Sequence, residues 1–218
     1  MSLSTKRIMI VDDHPSTRDG LITRVALEPD LEVVGEASDV NEAIAVIGEV
    51  RPDLAVIDVS LKSTSGIDLI KAVKERYPHV KMLVWSMYDE SLYAERALRA
   101  GAMGYINKQQ VTDTIIDAIR TILGGELFLS KELSAKMLHR VIAGKKSVPV
   151  SPVDSLSDRE LETFRLIGQG MATKEIAKAM CLSPKTIETY RARIKEKLQL
   201  DDTSLLTREA TQWVLENG

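Results

Sequence analysis

The chain has 218 residues, 28% of them charged and 44% hydrophobic, which fits a globular protein of one large or two small domains. Lys and Arg number 29 against 32 Asp and Glu, so the net charge of −3 excludes a polycation built as a whole for nucleic acid. One cysteine (Cys181) and three scattered histidines (His14, His79, His139) argue against a disulfide framework and a zinc site. No apolar run approaches the roughly 18 residues of a spanning helix, and the opening MSLSTKRIMIV lacks a signal-peptide hydrophobic region, so a cytoplasmic location is expected.

Two periodicities alternate through the first part of the chain. β-rich runs are expected at Arg7–Val11, Glu32–Ala37, Leu54–Ile57, Lys81–Ser86 and Gly104–Ile106. Helical stretches are expected at Ser16–Ala26, Val40–Val50, Gly66–Arg76, Glu90–Ala100 and Thr112–Leu123. Leu54-Ala-Val-Ile57 is apolar on both faces, as a central parallel strand should be. Five strands alternating with five helices predict a doubly wound α/β domain with a five-stranded parallel sheet, whose strand C-termini line one edge where ligands bind.

Gly124-Gly125 closes the fifth helix, and a short amphipathic helix is expected at Lys131–Ala143. Gly144–Asp154, with two prolines and small polar residues, reads as a linker. Beyond it the pattern is wholly helical. Ser157-Asp-Arg-Glu160 is a capping-box signature. Gly168-Gln-Gly170 breaks the helix, Thr173 is expected to cap a second one, and Cys181-Leu-Ser183 makes a short turn. Ser183 caps a third helix with Pro184 at its first position, running to Leu198, and a fourth covers Leu205–Glu216. Charge follows this division: residues 1–130 hold 14 basic and 20 acidic groups, residues 131–155 hold 5 and 2, and residues 156–218 hold 10 and 10.

Asp12 and Asp13 end the first strand and Asp58 ends the third. With those strands adjacent, the carboxylates converge, repel, and call for a hard divalent cation such as Mg²⁺. Ser86 ends the fourth strand and Lys108 follows the fifth, so a hydroxyl and an ammonium stand at the same edge, able to bind phosphoryl oxygens. Each acid alone fits a turn or helix cap. Their coincidence with the hydroxyl and the lysine is what points to a site. His14 is expected to be a solvent-facing loop residue, and Trp85 to serve packing.

Ile8-Met-Ile-Val-Asp12-Asp13-His14-Pro15, Ala55-Val-Ile-Asp58, Val84-Trp-Ser86 and Gly101-Ala-Met-Gly-Tyr105-Ile-Asn-Lys108 resemble the receiver domain of two-component response regulators over residues 6–124. The resemblance implies phosphoryl transfer from a sensor histidine kinase to Asp58. It implies Mg²⁺ ligation directly by Asp13, through water by Asp12, and by Asp58 and the Ser60 backbone carbonyl. Lys108 becomes the phosphate anchor and Ser86 with Tyr105 the switch pair, Tyr105 turning inward as Ser86 is drawn to the phosphoryl group. Lys62 stands where the family usually has proline, and Ser60 is a hydroxyl where relatives vary.

A helix, a short turn and a capped helix make the arithmetic of a helix-turn-helix, with Thr173–Met180 as support and Pro184–Leu198 as recognition helix. The latter carries Lys185, Arg191, Arg193, Lys195 and Lys197 against Glu188 and Glu196, a local positive charge on the helix that should read double-stranded DNA. On an ideal helix Ile187, Tyr190, Ile194 and Leu198 turn inward, leaving Lys185, Glu188, Thr189 and Ala192 toward the groove. Glu188 would accept from cytosine N4, Thr189 would meet a thymine methyl, and Lys185 would reach guanine or phosphate. Lys174, Thr186, Arg193 and Lys195 are phosphate candidates. Cys181 is expected as a small core residue of the turn.

Gly170-Met-Ala-Thr-Lys-Glu-Ile-Ala177 and Leu182-Ser-Pro-Lys-Thr-Ile-Glu-Thr-Tyr-Arg-Ala-Arg-Ile-Lys-Glu-Lys-Leu198 resemble the LuxR-type DNA-binding domain, over residues 153–218. Between the two domains, residues 125–152 form a linker with a short helix. The whole chain is similar to the NarL/FixJ response regulators. That similarity implies a homodimer paired through the last helix, where Trp213, Val214 and Leu215 are expected on the surface, with Trp213 equally suited to the core. Two other readings compete. An aspartyl-phosphate phosphatase of the haloacid-dehalogenase type wants an Asp where Ser60 stands, so the chain is expected not to be an enzyme beyond slow autodephosphorylation. A phosphorylation-independent DNA-binding regulator with a structural receiver is the alternative.

Overall fold

A computed structural model describes residues 5–61, 65–109, 113–142 and 152–217, so Lys62, Thr112 and residues 143–151 of the expected linker lie outside the described residues. The chain forms two compact units, Met1–His139 and Arg140–Gly218.

The first unit runs β1 (Lys6–Val11), α1 (Pro15–Ala26), β2 (Leu31–Ala37), α2 (Val40–Val50), β3 (Leu54–Ile57), α3 (Gly66–Arg76), β4 (Lys81–Ser86), α4 (Glu90–Ala100), β5 (Gly104–Asn107) and α5 (Asp113–Leu123). All strand pairs are parallel, in the order β2-β1-β3-β4-β5. β3 is buried along its whole length, as its unbroken apolar run requires. One face of the sheet is covered by Leu21 and Val25 of α1 and by Ile115, Ile116, Ile119 and Ile122 of α5, packed on Ile8, Ile10, Val56, Leu83 and Ile106. Sequence-local chemistry starts the helices: the Asp39 carboxylate accepts from Asn41 N and Glu42 N, Ser65 Oγ from Ile67 N, and Asp89 from Ser91 N.

Register places the site. Val11 pairs with Ile57 and Ile57 with Val84, so Asp12 and Asp58 leave the sheet side by side. Ser86 pairs with Asn107, which sets Lys108 one residue beyond the same edge. The chain then goes on past α5. Phe128 forms a parallel bridge with Gly104, donating from its N to Met103 O at 2.9 Å and accepting from Tyr105 N at 3.3 Å. Ser130 N donates to Glu90 Oε1 at 3.2 Å, and Ser130 Oγ accepts from Leu133 N to start α6 (Lys131–Ile142), whose Leu133 is buried.

The second unit contains a 3₁₀ turn (Pro152–Ser155), α7 (Asp158–Gly168), α8 (Thr173–Ala179), α9 (Pro184–Leu198) and α10 (Thr203–Asn217). The Ser157/Glu160 capping box is present, with Glu160 buried and bonded to Lys197 Nζ at 2.6 Å. Phe164, Ile176, Ile187, Ile194 and Leu206 fill the core. Tyr190 and Leu198 turn partly inward.

Three local expectations change. Thr173 is the first residue of α8 rather than its cap. Ala172 holds the cap position without a side-chain oxygen, and the Glu175 carboxylate accepts from the Ala172 N–H at 2.8 Å. Cys181 is exposed, not core. It takes φ 54° to reverse the chain after α8, with Leu182 N donating back to Ala177 O, and Met180 fills the core instead. On α10, where Val214 and Leu215 are expected on the surface and Trp213 on the surface or in the core, only Leu215 is fully open, at 82%. Trp213 leans on Phe164, ring centroids 5.8 Å apart, and Val214 packs over Gly168. Gly168 is fixed by that approach: a Cβ there would lie 2.3 Å from Ala210 O.

Candidate functional site

At the carboxyl edge of the sheet, Asp12, Asp13, Asp58 and Ser86 are buried at 1%, 5%, 1% and 0% exposure. Lys108 Nζ lies 2.6 Å from Asp12 Oδ2 and 2.5 Å from Asp58 Oδ2, its side chain 5% exposed. Ser60 donates to Asp58 twice over: its N to Oδ1 and its hydroxyl to both carboxylate oxygens, each at 2.9 Å. Asp12 Oδ1 accepts from His14 N at 2.8 Å, and the His14 ring nitrogen Nδ1 is 2.8 Å from Asp13 Oδ1. His14 is thus exposed, as expected, and also in contact with the acids. Trp85 packs against the core, as expected, and its ring also faces the Lys108 ammonium 5.3 Å from the centroid.

These donors fit a divalent cation. Oxygens of Asp12, Asp13 and Asp58, with a His14 nitrogen, all lie within 4.8 Å of one another. Three buried carboxylates against the Lys108 ammonium leave an excess of negative charge, held by hard oxygen ligands of the kind Mg²⁺ takes.

Tyr105 is inside the protein, 2% exposed, and its hydroxyl donates to Tyr88 O at 2.9 Å. Burial pushes its phenol well above the usual range, against the lowering effect of its hydrogen bond with Ser86. Ser86 Oγ also accepts from Tyr88 N at 3.3 Å, and Asn107 Nδ2 donates to Tyr88 O at 3.1 Å. The β4–α4 loop is thereby held by both members of the expected switch pair. Sequence reading missed Asn107 and Tyr88. Asn107 was legible only as the neighbour of Lys108.

On α9, Lys185, Glu188, Thr189, Ala192 and Arg193 are exposed, as is Lys174 on α8, whereas Thr186 and Lys195 are half-buried. Thr186 is tied into the helix cap, its hydroxyl 2.9 Å from Ser183 Oγ. Thr189 Oγ1 donates to Lys185 O at 3.0 Å, and Glu188 Oε1 accepts from Thr173 Oγ1 at 2.8 Å. Among the described residues no helix is long and apolar enough to cross a membrane.

A doubly wound sheet with this acid, hydroxyl and lysine edge, followed by a separate helix-turn-helix unit, defines the class of two-unit response regulators. Residues 8–120 match the response regulator receiver domain family, and residues 154–210 match the bacterial regulatory proteins of the luxR family. The chain belongs to the NarL/FixJ response regulators, which join these two domains. It is 35% identical over 198 residues to oxygen regulatory protein NreC of Staphylococcus haemolyticus, covering 89% of this chain and 91% of the relative. It is 30% identical over 194 residues to response regulator GacA of Pseudomonas aeruginosa, covering 89% and 90%. Among solved structures it resembles a LuxR-family two-component response regulator from Aurantimonas sp. SI85-9A1 (TM-score 0.59, 32% identity, 64% of this chain and 99% of that one). It also resembles RcsB of Salmonella enterica serovar Typhimurium bound to promoter P1flhDC with the phosphomimetic BeF3- (TM-score 0.58, 25% identity, 94% and 97%). The protein is a two-component response regulator with a LuxR-type DNA-binding domain.

Proposed function

We propose that this regulator is switched by phosphorylation of Asp58 and then binds double-stranded DNA as a homodimer. The observation that carries the reading is the buried Lys108 ammonium bridging Asp12 and Asp58. A carboxylate is a weak nucleophile that already repels an incoming phosphoryl group, so charge must be neutralised where the group lands. An Asp58 oxygen attacks the phosphorus of a phosphohistidine on a sensor histidine kinase. The P–O bond forms as the P–N bond breaks, and the electron pair leaves with the imidazole nitrogen. Lys108 passes from the carboxylate to a phosphoryl oxygen, and the Ser60 hydroxyl yields its place on Asp58. Asp12, Asp13, Asp58 and the Ser60 carbonyl would hold Mg²⁺, which supplies positive charge against the phosphoryl oxygens. No reaction beyond slow self-dephosphorylation is assigned to the chain.

Phosphorylation adds roughly −1.5 to −2 charges and three acceptor oxygens. The Ser86 hydroxyl turns to one of them and releases Tyr88 N. Tyr105, inside and bonded to the same loop, holds the rearranged β4–α4 segment. In the second unit, Glu188, Thr189 and Ala192 face base edges. Lys185 reaches guanine or phosphate, and Lys174, Thr186, Arg193 and Lys195 meet the backbone. The exposed α9 face supports this reading, as does the DNA-bound state of the RcsB relative.

The test measures DNA affinity and oligomeric state with and without acetyl phosphate and Mg²⁺, for wild type and Asp58→Ala. Tighter binding or dimerisation in wild type alone is expected. Equal binding by both proteins, indifferent to acetyl phosphate, would make the receiver a structural module.

A further inference from the structure

We propose that Thr173 is a positioning residue for base readout. Its hydroxyl fixes Glu188 so that the carboxylate selects, at one position of one strand, a base that presents an exocyclic amino group in the major groove. The inference rests on the DNA-binding reading of α9.

α8 starts without a capping hydroxyl, because Ala172 holds the cap position and Thr173 is the first helical residue. The Thr173 hydroxyl therefore has no capping duty, and it donates across 15 positions of sequence to Glu188 Oε1 at 2.8 Å. A glutamate on an exposed helix face has several staggered rotamers open to it. Anchoring Oε1 on the support helix removes that freedom and leaves Oε2 as an acceptor-only probe. Cytosine N4 and adenine N6 are the major-groove donors that such a probe can accept from, whereas guanine O6 and N7 and thymine O4 repel it.

The neighbours refine the class of site. The Thr189 hydroxyl donates its proton to Lys185 O at 3.0 Å, so it offers a base no donor, and its methyl is the apolar group at this position. Ala192, exposed one turn on, adds a second methyl. An acceptor flanked by two methyls suits an amino-bearing base beside a thymine, whose C5-methyl packs on them. Thr173 touches no base in this scheme and acts through Glu188.

Full-length protein with acetyl phosphate and Mg²⁺ is used to select from a random double-stranded DNA library at fixed salt. Wild type should enrich an amino-bearing base at one position by about tenfold over the alternatives. Thr173→Val should flatten that one position to within about twofold and leave the others, and Thr173→Ser should restore it. The slope of log affinity against log salt should be the same in Thr173→Val as in wild type, since no phosphate contact is removed. If Thr173→Val keeps the wild-type preference, or weakens every position alike with an altered slope, the hydroxyl merely ties two helices and the proposal is overturned. Glu188→Ala separates the layers. Should it retain the preference, Glu188 reads no base and the proposal falls while DNA binding stands. Should wild type itself select no sequence, the DNA-binding reading falls with it.

Discussion

Gly66 opens α3 against the segment that follows β3. A Cβ there would lie 2.2 Å from Asp58 O, 2.7 Å from Val59 Cα and 2.9 Å from Asp58 C, where ordinary contact begins at 3.4 Å. Every obstructing atom is backbone, so no flexible side-chain tip can give way. Gly66 is not among the glycines with positive φ, and conformational freedom is not the reason for it. On unfolded-state entropy alone, Gly66→Ala would stabilise by about 0.4–1 kcal/mol. The steric term has the opposite sign. The chain must open by about 1.2 Å, an overpacking strain of about 1–3 kcal/mol. Gly66 N also donates to Val59 O at 3.1 Å, so α3 cannot retreat without loosening a further bond. With the entropic gain set against that strain, urea denaturation should show a net loss of up to about 2.5 kcal/mol. If the displaced side is Asp58, acetyl phosphate labelling should slow by about 100-fold, the cost of a 1 Å misplacement. A variant as stable as wild type and labelled at the wild-type rate would refute the reasoning. A destabilised variant labelled normally would show that α3 absorbs the strain.

Arg120 binds Asp30 at 2.6 and 3.0 Å and Glu28 at 2.6 Å, and its hydrogen bond holds the Asp30 carboxyl below the usual range. Arg120→Ala should cost about 0.5–1 kcal/mol at neutral pH. A depressed carboxyl stabilises above its unfolded value, so the gap between urea melts of wild type and variant should close as pH falls through the lowered Asp30 value. Burial alone would raise the Glu160 carboxyl, but bonds from Lys197 and Ser157 outweigh it and lower it. Lys197→Met should cost the second unit about 1–3 kcal/mol in denaturation, a difference that again fades in acid. Tyr105→Phe removes one donor to Tyr88 O and leaves Asn107 on it. It should cost about 0.5–1.5 kcal/mol and shrink the DNA-affinity gain on acetyl phosphate, with the Asp58 labelling rate unchanged.

Elements whose signal is local were legible from sequence. The apolar run of β3, the Ser157 capping box and the Ser183-Pro184 start of α9 stand where residue chemistry puts them. The acids of the pocket were legible because a parallel sheet brings strand ends together whatever the intervening helices contain. What escaped was decided by competition between groups far apart in sequence. Thr173 looks like a cap by type, but Ala172 holds the cap position, and only the fold shows that Glu188 receives the Thr173 hydroxyl. Cys181 looks like a core residue by type, but its place in a left-handed turn turns it outward. Val214 reads as surface and Trp213 as surface or core on their own helix, and they become partners of Gly168 and Phe164 once α7 and α10 meet.

The bridge at Phe128 separates two boundaries usually taken as one. Homology to the receiver family ends at residue 120, yet the last strand of the sheet takes its outer hydrogen bonds from residue 128. An uncovered strand edge is a template for pairing with other chains. A fragment trimmed to the homologous span would bare Met103 O and Tyr105 N, along with the surface beneath Leu133, and invite edge-to-edge association. The heritable module and the self-sufficient folding body therefore differ in length. Any recombination that joined this receiver to another output at the homology boundary would have to supply a new cover for β5.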